Sequence, residues 1–207
     1  MSHIIFRLMM ISFCLFPTVL GGCLLGGGTQ QRSKFYVLNS LYSSKAGMET
    51  ETTRDVLSIC VGPVHLPQYV NRPHIVTRIS RNELEVNEFA RWGEPLKDNF
   101  SRVLAENISV LLSTNHVIVY PWNRTAPVDY QVVIDVIRFD GAMGADVSMR
   151  ARWTLLGDDG KKVLLRKNSS LSIHADDRTY EALVSAQSRI LADLSSEIAE
   201  EIKAQQE

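Results

Sequence analysis

The chain has 207 residues, 45% of them hydrophobic and 22% charged, and its 22 basic and 23 acidic residues leave a formal charge of −1. That balance supplies no basic excess for nucleic acid and no polybasic patch for an anionic membrane surface. The length accommodates one domain with a real core.

The first segment is a targeting signal in composition. Arg7 gives a positive n-region, and Leu8 to Leu20 runs apolar, broken only by Ser12, Pro17 and Thr18. Such a run fits a secretory signal core. It falls short of the roughly 20 residues of a spanning helix, which Pro17 would also disturb. Leu20-Gly21-Gly22-Cys23 follows at once. This tetrad resembles the bacterial lipobox, in which a leucine and two small residues precede a cysteine that receives diacylglycerol. The resemblance implies cleavage after residue 22 and lipid on Cys23, with acyl chains enough for stable anchoring. Leu24, in place of the aspartate that signals inner-membrane retention, implies the outer membrane and its periplasmic face. Residues 23–34 then form the lipidated cysteine and a flexible, glycine-rich tether, with a reach on the order of 20 Å. Cys14 leaves with the signal and Cys23 carries lipid, so no intramolecular disulfide is expected in the mature chain, where Cys60 remains. It lies in the apolar run Val56 to Val61, the setting of a buried strand cysteine.

Residues 35–207 read as one α/β domain, a mixed β-sheet with amphipathic helices packed on it. Phe35 to Leu38 is a short β-like run, and Asn39 to Arg54 a loop. Val56 to Val64 is a strand stopped around Pro63 and Pro67. His74 to Ser80 is another, followed by a short run around Leu84 and Val86. Glu94 to Ser113 carries Leu96, Phe100, Val103, Leu104 and Ile108 at helical spacing, with Pro95 in the first turn. Val117 to Tyr120 is a strand closed by Pro121. Tyr130 to Phe139 is apolar on both faces, which places it centrally in the sheet. Ala145 to Leu156 alternates cleanly, setting Val147, Met149, Ala151, Trp153 and Leu155 against Ser148, Arg150, Arg152 and Thr154, the pattern of a strand with one wet face. Gly157 to Gly160 turns the chain into a return strand. Its Asp158-Asp159 pair lacks the ligand count of a calcium loop. A long helix, Arg178 to Lys203, closes the chain with one apolar stripe for one partner surface.

No catalytic or metal-binding motif emerges. His65, His74, His116 and His174 lack metal-ligand spacing, and there is no nucleophile elbow or phosphate-binding glycine loop. No cofactor is implied. The segment that stands out is Val64 to Val76, which sets Tyr69, Val70 and Arg72 between prolines, ending at Pro73. A rigid connection displaying Tyr and Arg has the composition of an interaction hot spot. The other reading is a rigid crossover whose Tyr and Val pack into the domain and whose Arg caps or pairs locally. Trp92, before the helix, is either a packing staple at the helix start or part of a partner interface.

These residues carry a family resemblance. Tyr36-Val37-Leu38, the Val61 to Pro67 strand end, Tyr69 to Val76, Arg91 to Leu96 and Arg102 to Asn107 together resemble the ABC-type transport auxiliary lipoprotein family, the PqiC-like lipoproteins. The family more often has Leu-Asp at Val70-Asn71 and Gln at His74. The resemblance implies a mixed α/β domain that works with a periplasm-spanning MCE-domain (PqiB-like) protein and inner-membrane transporter components, in lipid movement between membranes and in membrane integrity. The leading expectation is therefore a non-enzymatic docking adaptor, with Tyr69, Val70, Arg72, Pro73 and Trp92 as candidate partner-binding residues and homo-oligomer formation open. A lipoprotein that itself binds lipid or a small apolar ligand is the alternative. A periplasmic hydrolase would instead require titratable residues clustered in a cleft.

Overall fold

Three long strands build an antiparallel meander. The computed structural model describes residues 32–40, 57–122 and 127–206. The signal segment, Cys23 and most of the tether and of the first loop lie outside them. In chain order the elements are β1 (Lys34–Tyr36), β2 (Ile59–His65), β3 (His74–Arg78), β4 (Leu84–Trp92), α1 (Leu96–Leu112), β5 (Val117–Val119), β6 (Tyr130–Gly141), β7 (Asp146–Gly157), β8 (Lys162–His174) and α2 (Tyr180–Ala204). The strands form a five-stranded sheet of order β5-β2-β6-β7-β8 and a three-stranded sheet of order β1-β4-β3. In the larger sheet β2 runs parallel to β5 and β6, and β6, β7 and β8 are antiparallel. The fold is the mixed α/β domain expected, divided between two sheets.

Alternation along β7 decides which face is covered. Val147, Met149, Ala151, Trp153 and Leu155 are buried, whereas Arg150 and Arg152 are exposed. The helices lie on the buried side. Phe100 of α1 meets Phe139 of β6 edge to face, with centroids 5.5 Å apart, a favoured aromatic geometry. From α2, Glu201 takes the ammonium of Lys167 on β8 at 2.9 Å. The two helices are joined by Asn107 Nδ2 donating to Ser195 Oγ at 3.2 Å. Strand β6 is central, yet its second face is not covered like the first: Val133 is half-buried and Ile137 is 44% exposed.

The local chemistry of the ends follows the sequence with small shifts. Pro95 is the residue that caps α1 rather than a member of its first turn, and its carbonyl accepts from the N–H groups of Asp98 and Asn99. Thr179 caps α2, its Oγ1 accepting from Ala182 N at 3.2 Å, as a threonine N-cap does. Asp158, Asp159 and Gly160 all take positive φ in the β7–β8 turn, which Asp and Gly tolerate best. Pro63 does not end β2. The strand continues to His65 through an irregularity between Val61 and Val64. There Gly62 has φ +113, and a Cβ on it would come within 2.9 Å of Tyr120 Cβ. Strand β4 is longer than the short run expected, because its bulge at Asn87 is held by the side chain: Oδ1 accepts from the N–H groups of Phe89 and Ala90. Cys60 is fully buried.

Candidate partner-binding site

The connection between β2 and β3 folds back on itself because Pro67 offers its carbonyl twice, to the N–H groups of Val70 and Asn71 at 3.1 Å. Val70 is thereby turned into the core, at 4% exposure. Half-buried Tyr69 points to Asp140 on β6, donating its hydroxyl to Oδ2 at 2.5 Å. Arg78 of β3 grips the same carboxylate with Nε at 2.7 Å and Nη2 at 2.8 Å. Arg138 adds a third contact through Nε at 3.0 Å.

The Asp140 side chain is fully buried. Burial alone pushes its carboxyl up, but hydrogen bonds from Arg78 and Tyr69 and the charges of Arg138 and Arg78 outweigh it and hold the group below the ordinary carboxylate value. Tyr69 moves the other way. Burial, then its hydrogen bond to Asp140 and the charge it faces, push the phenol up to about 12. The arrangement is an ion cluster that fastens the β2–β3 connection and the smaller sheet to β6. It brings together two stretches 62 to 71 positions apart in sequence, and nothing local to Asp140 signalled it.

Arg72 and Pro73 stay exposed. The backbone N–H of Trp92 donates to the carbonyl of Pro73 at 2.8 Å, so the two predicted segments are held side by side. Together Asn71, Arg72, Pro73, Trp92, Glu94, Pro95 and Leu96 line an open cleft of about 320 Å³. Trp92 is 6% exposed and belongs to the core cluster, so its packing role and its place in the cleft coexist. The two prolines, the leucine and the indole make an apolar lining. Glu94 is taken up by Arg102, which also holds Glu106 at 2.9 Å. Among the described residues Arg72 forms no ion pair. Among the described residues the cleft thus sets an arginine without an ion pair above apolar surface, which suits binding. It has neither a nucleophile nor paired titratable groups. The structure thus gathers Arg72, Pro73 and Trp92 at one place and directs Tyr69 and Val70 inward.

A second groove, of about 330 Å³, runs between β1 and α2, with Phe35, Val37, Val184, Arg189 and Ala192 in its lining. Phe35 is 64% and Val37 43% exposed. Sequence reasoning took these residues only as part of a short strand. The one available signal was an apolar pair directly after a polar tether. Among the described residues, no group of three His, Cys, Asp or Glu side chains gathers to hold a metal ion. His65 and His174 instead pair with Asp135 and Asp146, each at 2.9 Å.

Residues 36–199 match the family model described as ABC-type transport auxiliary lipoprotein component. The chain belongs to the ABC-type transport auxiliary lipoprotein family. Two solved structures share the fold of this auxiliary lipoprotein. One, the crystal structure of an uncharacterized protein, is 18% identical, with a TM-score of 0.67 over 83% of this chain and 99% of its own. The other is protein XCC0632 from Xanthomonas campestris, 16% identical, with a TM-score of 0.59 over 81% of this chain and 91% of its own. No curated protein matches the sequence. Among the described residues, no helix of the auxiliary lipoprotein is long and apolar enough to cross a membrane.

Proposed function

We propose that this auxiliary lipoprotein is a non-enzymatic docking adaptor of an MCE-type envelope lipid transport system. Lipid on Cys23 holds it to the periplasmic face of the outer membrane, and residues 24–34 give it reach. The domain then grips the far end of a periplasm-spanning MCE-domain (PqiB-like) protein, itself served by inner-membrane transporter components. The observation that carries this reading is the convergence of Arg72, Pro73 and Trp92 on one open cleft, in a chain whose family is auxiliary to transport. An apolar floor beside an arginine that forms no ion pair among the described residues has hot-spot composition, and the prolines that restrict its backbone lower the ordering cost of association. Several copies arranged about a symmetry axis would suit a tubular partner.

The test is photocrosslinking in intact cells from position 72, with Trp92→Ala as the weakened variant. An adduct to an MCE-domain protein, lost in the variant, supports the reading. Adducts confined to unrelated envelope proteins sink it. A second reading, direct binding of a lipid or small apolar ligand, draws on the β1–α2 groove and its exposed Phe35 and Val37. It calls for lipid that stays with the protein after removal of its anchor, detected by mass spectrometry.

A further inference from the structure

We infer that the face of the five-stranded sheet turned away from the helices, exposed among the described residues at Ile137, Arg150, Arg152 and Arg166, is a docking surface for an acidic segment of a partner protein. The strand ladder assembles this surface. Arg138 on β6 stands directly opposite Arg150 on β7, and like charges across an antiparallel pair repel. Arg152 lies two residues further along β7 on the same face, opposite Asn168 of β8, and Arg166 of β8 stands opposite Thr154. Successive same-face residues are roughly 7 Å apart along a strand, and neighbouring strands about 5 Å apart. Four guanidinium groups are therefore concentrated on one side of three strands.

The acids on the same face, Asp135, Asp140 and Asp146, are each engaged by another group, Asp146 by His174 at 2.9 Å. Arg138 is drawn to Asp140, which already serves Arg78. Asp135, opposite Arg152, is engaged by His65 at 2.9 Å. Arg150, Arg152 and Arg166 are exposed and, among the described residues, form no ion pair. A chain with more acids than bases has thus set Arg150 directly across the ladder from Arg138, itself paired with Asp140, where like charges repel. An anionic counterpart relieves that repulsion.

The chemistry of the patch favours carboxylates on a protein over a lipid surface. The cations are arginines, whose planar forks pair bidentately with carboxylates. Beside them lie exposed Ile137 and the serines 170 and 172, the mixture of arginine, apolar and small hydrogen-bonding groups found in protein interfaces. Membrane-seeking aromatic residues are elsewhere: Phe35 is on β1, Phe89 on β4 and Tyr120 beyond β5. This surface is separate from the Arg72 cleft, and its test does not depend on the partner proposed there.

The experiment places a photocrosslinking residue at Ser170 in the full-length lipoprotein in intact cells, with Glu200 on α2 as the control position, and identifies adducts by mass spectrometry. The expected adduct joins Ser170 to a protein peptide carrying clustered Asp or Glu. It should fall about tenfold in an Arg150→Glu/Arg166→Glu chain, as loss of a close charge pair predicts, and return when the partner's acids are changed to Lys. Adducts to phospholipid alone, to peptides without acids, or unaffected by the charge reversal overturn the proposal, as does the lack of any adduct. A second measurement tests its premise. Arg150→Glu alone should leave the melting temperature equal or higher, because it turns a repulsive cross-strand pair into an attractive one. A clearly lower melting temperature overturns the premise.

Discussion

The Tyr69 hydroxyl donates to the fully buried carboxylate of Asp140 at 2.5 Å, across 71 positions of sequence. With the Arg78 fork on the same carboxylate, this contact ties the β2–β3 connection and β3 to β6. In the cleft formed by Arg72, Pro73 and Trp92, Arg72 lies three residues beyond Tyr69, so the cluster positions the candidate site without lining it.

Asp140→Asn leaves Arg78 and Arg138 facing a neutral group. Removing one partner of a buried ion pair costs about 3–5 kcal/mol, and urea unfolding should show a loss of that order. The pH dependence has a definite sign. The folded carboxyl lies below its ordinary value, so the unfolded chain binds the proton more tightly. The stabilisation is complete above the ordinary carboxylate range, near 4, and is lost as pH falls through the depressed folded value. Unfolding free energies measured down the acid side should decline more steeply for the wild type than for Asp140→Asn. Parallel curves would contradict the assignment.

Tyr69 is displaced in the opposite direction, up to about 12. Its folded form holds the phenolic proton more tightly than the unfolded chain does. Its contribution is therefore intact below the ordinary value near 10 and lost as pH rises toward about 12. Absorbance titration at the phenolate band should show a late-titrating tyrosine that disappears in Tyr69→Phe. The same substitution should cost about 1.5–3 kcal/mol, the range for a hydrogen bond to a charged group.

Asn99 on α1 holds the chain just beyond β1 at both backbone groups of Leu38. Its Oδ1 accepts from the N–H at 2.7 Å, and its Nδ2 reaches the carbonyl at 3.4 Å. Both residues are buried. Asn99→Ala orphans these groups, at a cost of about 1–3 kcal/mol each for a buried unsatisfied partner. Hydrogen exchange should show the Leu38 amide losing protection before the β6–β8 meander does. Equal loss everywhere would mean that β1 is held by other contacts.

Trp153 is 1% exposed, and its indole N–H donates to Ser169 Oγ at 3.0 Å. Ser169 in turn donates to Glu197 of α2. Trp153→Ala opens a cavity between the sheet and the helices, so the expected loss is about 3–5 kcal/mol. Trp153→Phe keeps most of the volume and should cost less. Equal unfolding midpoints for the two variants would exclude the cavity as the main cause of the loss.

What the sequence alone determined was whatever local periodicity encodes. The alternation from Val147 to Leu155 named the covered face of β7, the stripe from Leu96 to Ile108 named the buried side of α1, and Gly157 to Gly160 named the turn. Each depends on residues within a few positions of one another, because the strand and helix repeats are short. Arg72, Pro73 and Trp92 were legible as candidates, since prolines restrict the backbone locally. An inward-packing Tyr69 and Val70 was one of the two readings the segment offered; that Arg72, Pro73 and Trp92 share a cleft, and which group Tyr69 meets, was not legible. Tyr69 meets Asp140, which lies 71 positions from Tyr69 and 62 from Arg78 and was, in sequence, one aspartate at a strand end. The basic sheet face was hidden for the same reason. Arginines 138, 150, 152 and 166 are scattered through a chain of nearly balanced charge, and only the β6-β7-β8 register brings them onto one surface. Periodicity determines which way a side chain points. Which distant side chain it meets is settled by register and packing, and these exist only once the sheets and helices have come together.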